Sequence, residues 1–170
     1  MQTTQPGILA EETKLARYLE FSIDSTSDIK DALQALASED VTDGVVTGIG
    51  QSLVDMLGKN IAGLYTMPAQ TGGGIGIPST PTALWFWLRG NDRGELFHRS
   101  RQLEETLAPG FVISNVIDSF QYDENRDLSG YEDGTENPEG DEAIKAGIVQ
   151  NQGPGLDGSS FVAVQQWLHD

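Results

Sequence analysis

The six residues Ala83-Leu84-Trp85-Phe86-Trp87-Leu88 are apolar without interruption. A strand sends alternate side chains to opposite faces, so a run that is apolar on both faces has to be covered on both. Residues 83–88 are therefore predicted to form a central strand, and the rest of the chain must supply the cover. Leu19, Phe21 and Ile23 alternate with Tyr18, Glu20 and Ser22, the pattern of a half-buried strand over residues 17–23. Ser25-Thr26-Ser27-Asp28 supplies an N-cap for a helix whose stripe is Ile29, Ala32, Leu33 and Leu36. Ile49, Leu53 and Leu57 fall on one face of a second predicted helix, stopped near Gly58.

Residues 60–81 are rich in Gly and Pro and read as irregular, with at most a weak strand. Their Thr71-Gly72-Gly73-Gly74-Ile75-Gly76 run has no Lys-Ser/Thr ending and opens no helical pattern, so a phosphate-binding loop is not indicated. Asn91 or Asp92 caps the next helix, which carries Leu96, Leu103 and Leu107 to about residue 108, where Pro109-Gly110 ends it. Residues 111–117 read as a further strand, reaching toward Tyr122, and residues 159–168 as a last one. Strands separated by single helices predict an α+β, ferredoxin-like antiparallel sheet with helices on one face. Its expected core is Leu19, Phe21, Leu33, Leu36, Leu53, Leu84, Phe86, Leu103, Leu107 and Ile113.

Charge and composition narrow the functions. Ten Lys and Arg stand against 26 Asp and Glu, a formal charge of −16 over 170 residues. Such a chain repels phosphate backbones and anionic membranes, so neither nucleic acid nor a membrane is an expected partner. Without Cys there is no disulfide, thiolate ligand or thiol nucleophile. Only His98 and His169 are histidines, and neither has a partner at metal-ligand spacing. No apolar run approaches the roughly 18 residues of a membrane helix, and residues 1–7 show no export pattern, so a cytoplasmic protein is expected.

Residues 123–142 read as one acidic loop, with nine acids in twenty positions. A solvated surface loop is the plain reading of such a run. An EF-hand starting at Asp123 would put Leu128 where Gly is needed and Gly134 where Glu is needed, so calcium binding of that kind fails. Nothing fixes the separation of any two acids as a glycosidase pair requires. A Gly-x-Ser-x-Gly nucleophile elbow is absent.

Within that loop, Gly130-Tyr131-Glu132-Asp133-Gly134-Thr135-Glu136-Asn137-Pro138 resembles the extended Gly-x-x-Asp-Gly signature of the dye-decolorising (DyP-type) haem peroxidases. Gln5-Pro6-Gly7-Ile8, Leu84-Trp85-Phe86-Trp87-Leu88-Arg89-Gly90, the approach Phe120-Gln121-Tyr122 to Gly130, and residues 158–170 resemble further stretches of that family. The resemblance covers nearly the whole chain and is specific to the family's amino-terminal half. It implies a fold of the dimeric α+β barrel type, with residues 1–157 forming one ferredoxin-like domain that includes the loop. Residues 158–170 would be the first strand of a second, truncated domain. It further implies an oxidoreductase that uses haem b to oxidise dyes and other organic reductants with hydrogen peroxide. Asp133 matches the distal proton-shuttling aspartate. Glu132, Asp133, Gly134, Thr135 and Asn137 would border the haem, with Gly130 and Gly134 allowing a tight turn and Thr135 and Asn137 fixing the loop. The proximal histidine and the distal arginine belong to the family's second half, so no metal ligand is expected here. The 170-residue chain alone is expected to be inactive, and because its predicted last strand, residues 161–168, is apolar on both faces, it is expected to associate with its own copies, as a homo-oligomer, or with a C-terminal half. A non-catalytic ferredoxin-like association module without haem is the alternative.

Overall fold

The computed structural model describes residues 4–24, 29–39 and 44–166. A four-stranded antiparallel sheet is formed by β1 (Leu15–Ile23), β2 (Val45–Ile49), β5 (Leu84–Gly90) and β6 (Phe111–Phe120), in the order β2-β5-β1-β6. Helices α1 (Ile29–Ala37) and α3 (Arg93–Leu107) pack on one another and cover one face. The chain order of these six elements and the strand order are those of a ferredoxin-like fold. A short helix α2 (Gln51–Met56) follows β2, a small hairpin of β3 (Gln70–Gly72) and β4 (Ile75–Ile77) lies outside the main sheet, and α4 (Gly140–Gly147) follows the acidic loop.

The expected central strand is central. β5 pairs with β2 on one side and β1 on the other. Its Leu84, Phe86 and Leu88 are fully buried on the helix side with Leu19, Phe21, Leu103 and Leu107. Phe21 and Phe86 meet edge to face at 5.6 Å. Leu53 joins this core, and Leu33, Leu36 and Ile113 pack against it. On the other face Tyr18, Trp85 and Trp87 form an aromatic cluster, with Tyr18 at 6.0 and 6.3 Å from the two indoles. Arg89 stacks on Trp87 at 4.4 Å and donates to the carbonyls of Gly7 and Ala10 at 2.6 and 3.3 Å. That holds a short helical turn, Pro6–Ile8, onto the sheet.

A bulge in β6 changes which residues share a face. Ile113 pairs with Phe21 and Val116 with Leu19, so two residues three apart lie on the core side, where strict alternation would have separated them. Asp92, rather than Asn91, caps α3, its carboxylate accepting from the Glu95 N–H at 2.9 Å. The glycine run at 71–76 is the hairpin, with φ of 59° and 84° at its turn residues Gly73 and Gly74.

Three expectations need correction. Ile49 ends strand β2 and is not part of the second helix. Only Leu53, with its neighbours in Gln51–Met56, is helical there, and Gly50 at the junction faces so close a contact that an added Cβ would lie 1.8 Å from the Thr82 oxygen. The acidic stretch is not loop to its end, because α4 begins at Gly140 and sets Asp141 and Glu142 in its first turn, where the helix dipole favours them. Residues 161–166 are not a strand: no sheet edge among the described residues pairs with them, and a strand without a ladder has nothing to satisfy its backbone. The proposed cap at residues 25–28 and residues 167–170, with His169, lie outside the described residues.

Candidate functional site

The signature loop leaves β6 through a tight left-handed passage. Asp123, Glu124 and Asn125 have φ of 37°, 57° and 68°, a conformation that costs non-glycine residues on the order of 1–2 kcal/mol each. The chain then doubles back on itself. The Asp127 N–H donates to the Tyr131 carbonyl at 2.9 Å, Arg126 bridges Glu132, and the Asp133 N–H donates to the Asn125 carbonyl at 2.7 Å. Gln121 also hydrogen-bonds the Asn125 side chain. The tip is organised by the Asp127 carboxylate, which accepts from the Ser129 N–H at 2.9 Å, the Ser129 hydroxyl at 2.5 Å and the Tyr131 N–H at 3.3 Å. Arg126 donates to the Gly130 carbonyl at 3.0 Å.

Immediately after Asp133 the chain turns again. The Asn137 N–H donates to the Gly134 carbonyl at 3.0 Å, with Thr135 and Glu136 in the middle of the turn. Gly134 has φ of 79°, and an added Cβ would lie 2.9 Å from the Asn137 amide nitrogen. The Asn137 side chain is exposed and can swing aside, so it is the positive φ that calls for glycine there. The five candidate residues Glu132, Asp133, Gly134, Thr135 and Asn137 thus lie at the joint between a short stem and a tight turn. Asp133 is pinned by the stem on one side and the turn on the other, and its side chain is exposed.

The Asp127 carboxyl is held below the ordinary aspartate range, chiefly by the Ser129 hydroxyl, against a desolvation penalty, and then by the N–H groups of Ser129, Tyr131 and Gly130. Its organising role was not read from the sequence, although Asp127-Leu128-Ser129 is the spacing at which an aspartate bonds its own chain two residues on.

The residues of the loop that could border a haem are Glu132, Asp133, Gly134, Thr135 and Asn137. The loop offers an exposed carboxylate on a glycine-hinged backbone with open space around Gly130. His98 stands exposed on α3 beside Phe97, and no group of three His, Asp or Glu able to hold a metal occurs among the described residues. Among those residues, no helix is long and apolar enough to cross a membrane.

Fold and loop together define an α+β ferredoxin-like unit that presents an acidic, glycine-hinged signature loop. The family model described as Dyp-type peroxidase, C-terminal, matches residues 124–170. A dye-decolorizing peroxidase of Rhodococcus erythropolis is 32% identical over 176 residues, covering 96% of this chain and 52% of that protein. The encapsulated DyP-type peroxidase of Mycobacterium smegmatis, solved by cryo-electron microscopy, superposes with a TM-score of 0.74 at 30% identity, over 91% of this chain and 54% of that one. A variant of DypB from Rhodococcus jostii, solved in complex with heme, shares the fold with a TM-score of 0.76 at 22% identity, over 90% and 54% of the two chains. The chain is a relative of the dye-decolorising peroxidases, and it spans about half the length of the curated relatives it matches.

Proposed function

We propose that this chain is the amino-terminal half of a haem-dependent peroxidase and that Asp133 is its proton shuttle. The observation that carries the reading is the position of Asp133, fixed between stem and turn with its carboxylate outward. Reduction of hydrogen peroxide to two waters consumes two electrons and two protons. Before the O–O bond breaks, one oxygen must lose a proton and the other must gain one. The Asp133 carboxylate takes the first proton at an oxygen and returns it to the departing oxygen, which leaves as water. Glu132, Gly134, Thr135 and Asn137 shape the rim that would border the haem. Haem b, when bound, supplies the iron and the electrons that cleavage needs.

The same reading makes residues 1–157 one domain and 158–170 the opening of a second. It puts the enzyme in the cytoplasm as an oligomer, with hydrogen peroxide and an organic reductant as substrates. In the complete protein, Asp133→Asn is expected to slow peroxide cleavage about 10²–10⁴-fold, because an amide does not take up the proton at neutral pH. Haem affinity, read from the Soret band, should not change. A stopped-flow rate equal to that of the parent would reject Asp133 as the shuttle.

The 170-residue chain by itself should turn over dyes no faster than free haem, since a haem peroxidase needs an axial ligand to hold and tune the iron. Reconstitution with excess haem, removal of the unbound fraction and a dye-oxidation assay check this. Turnover that survives His98→Ala and His169→Ala together would require another ligand and would contradict it.

A further inference from the structure

An aspartate followed by glycine is open to attack by its own backbone, because the nitrogen after the aspartate has no Cβ beside it to obstruct the approach. The chain has three such pairs, Asp43-Gly44, Asp133-Gly134 and Asp157-Gly158. Asp43 lies outside the described residues. The other two pairs are built differently. The Gly158 N–H donates to the Val149 carbonyl at 2.9 Å, and the Asp157 carboxylate accepts from the Gln152 N–H at 2.7 Å. Nitrogen and carboxyl are both engaged there, in a half-buried turn.

Asp133 and Gly134 are exposed. Among the described residues, neither the Gly134 N–H nor the Asp133 carboxylate has a hydrogen-bond partner. The bonds that hold this stretch stop on either side of the pair. One joins the Asp133 N–H to Asn125, and the next joins the Gly134 carbonyl to Asn137. The peptide nitrogen between them is left free.

We propose that Asp133-Gly134 is a site of spontaneous backbone rearrangement, at which the aspartate becomes isoaspartate through a cyclic imide. The Gly134 nitrogen attacks the Asp133 side-chain carbon. A carbon–nitrogen bond forms, the protonated carboxyl gives up its OH, the amide gives up its hydrogen, and one water leaves. Water then opens the ring at either carbonyl. Opening at the side-chain carbonyl restores aspartate. Opening at the main-chain carbonyl leaves the chain running through the side-chain carbon, with one extra methylene in the backbone and the carboxylate directly on Cα. Nothing is oxidised or reduced. The rearrangement needs neither haem nor peroxide. Only its consequence rests on the proposed function: the carboxylate assigned to proton transfer is displaced as the protein ages.

The test follows the folded 170-residue chain through prolonged incubation. Its proteolytic peptides are then treated with a methyltransferase that labels isoaspartate. The peptide holding Asp133 should carry about tenfold more label than the one holding Asp157, because at Gly158 a backbone hydrogen bond has to open first. In urea the two should label equally. Asp133→Asn should give the same product faster, releasing ammonia where aspartate releases water. Equal labelling in the folded chain, or label confined to Asp157, would overturn the proposal. So would a difference that persists in urea, since neighbouring residue types and not the fold would then be its cause. An Asp133→Asn chain that keeps its amide while the parent is labelled would contradict attack by the Gly134 nitrogen.

Discussion

Phe86 and Asp133 are both fixed in place, by opposite means. Phe86 is fully buried, and what holds it is remote in sequence: Phe21 on β1 and the leucines of α3. Asp133 is exposed, and what holds it is near in sequence: a bond to Asn125, a tip organised by Asp127, and a turn closed by Asn137. The sheet is ordered by loss of apolar surface from water, a term indifferent to pH and to moderate salt. The loop is ordered by polar contacts, and those at its tip depend on the Asp127 carboxylate staying ionised. The two regions should therefore come apart under different conditions.

The sharpest test of the contrast is Phe86→Ala. A cavity at the centre of the sheet should cost about 3–5 kcal/mol, read from urea unfolding. A loss below about 1 kcal/mol would mean that the core relaxes freely and is not the rigid half of the comparison.

Asp127→Ala should do the reverse. Amide exchange at Ser129 and Tyr131 should quicken by about tenfold, as local opening becomes easier, while amides of β1 and β5 keep their protection. Acid should reproduce this in the parent. The Asp127 carboxyl lies below its ordinary value in the folded loop, so its contribution to loop order is complete above the ordinary aspartate range. That contribution fades as pH falls through the lowered value. Exchange at Ser129 and Tyr131 that does not respond to acid would remove Asp127 from its organising role.

The smallest effect belongs to Arg101. Its pairs with Glu104 and Glu105, at 3.1 and 3.6 Å, are solvent-exposed. Arg101→Ala should change stability by less than about 0.5 kcal/mol, and a larger loss would show that polar contacts also hold the helical layer.

The contrast also explains what could be read in advance. β1, α1, α3 and β6 announce themselves because each buries one side, and burial imposes a period of 2 or 3.6 on the sequence, whereas β5 announces itself by an unbroken apolar run because both of its faces are covered. All ten expected core residues pack in or against the core. β2 escaped because Ile49, Leu53 and Leu57 also satisfy a helical spacing, and only tertiary pairing with β5 decides that Ile49 is a strand residue. Residues 161–166 misled for the complementary reason. Phe-Val-Ala-Val has strand character, but a strand is a property of a pair, and the partner is not encoded in the segment itself. In the loop, the motif pointed to Asp133 and its neighbours, while the part played by Asp127 came from hydrogen-bond geometry that spacing alone does not fix.

The place of β1 in the sheet bears on how the protein is made. β1 leaves the ribosome first, yet it lies between β5 and β6, with Leu15 opposite both Gly90 and Phe120. The nascent chain therefore has to keep β1 without β5 for roughly sixty residues and without β6 for about a hundred. Pairings that distant close slowly. Until Phe120 has been added, one edge of β1 stands open to any other strand that meets it.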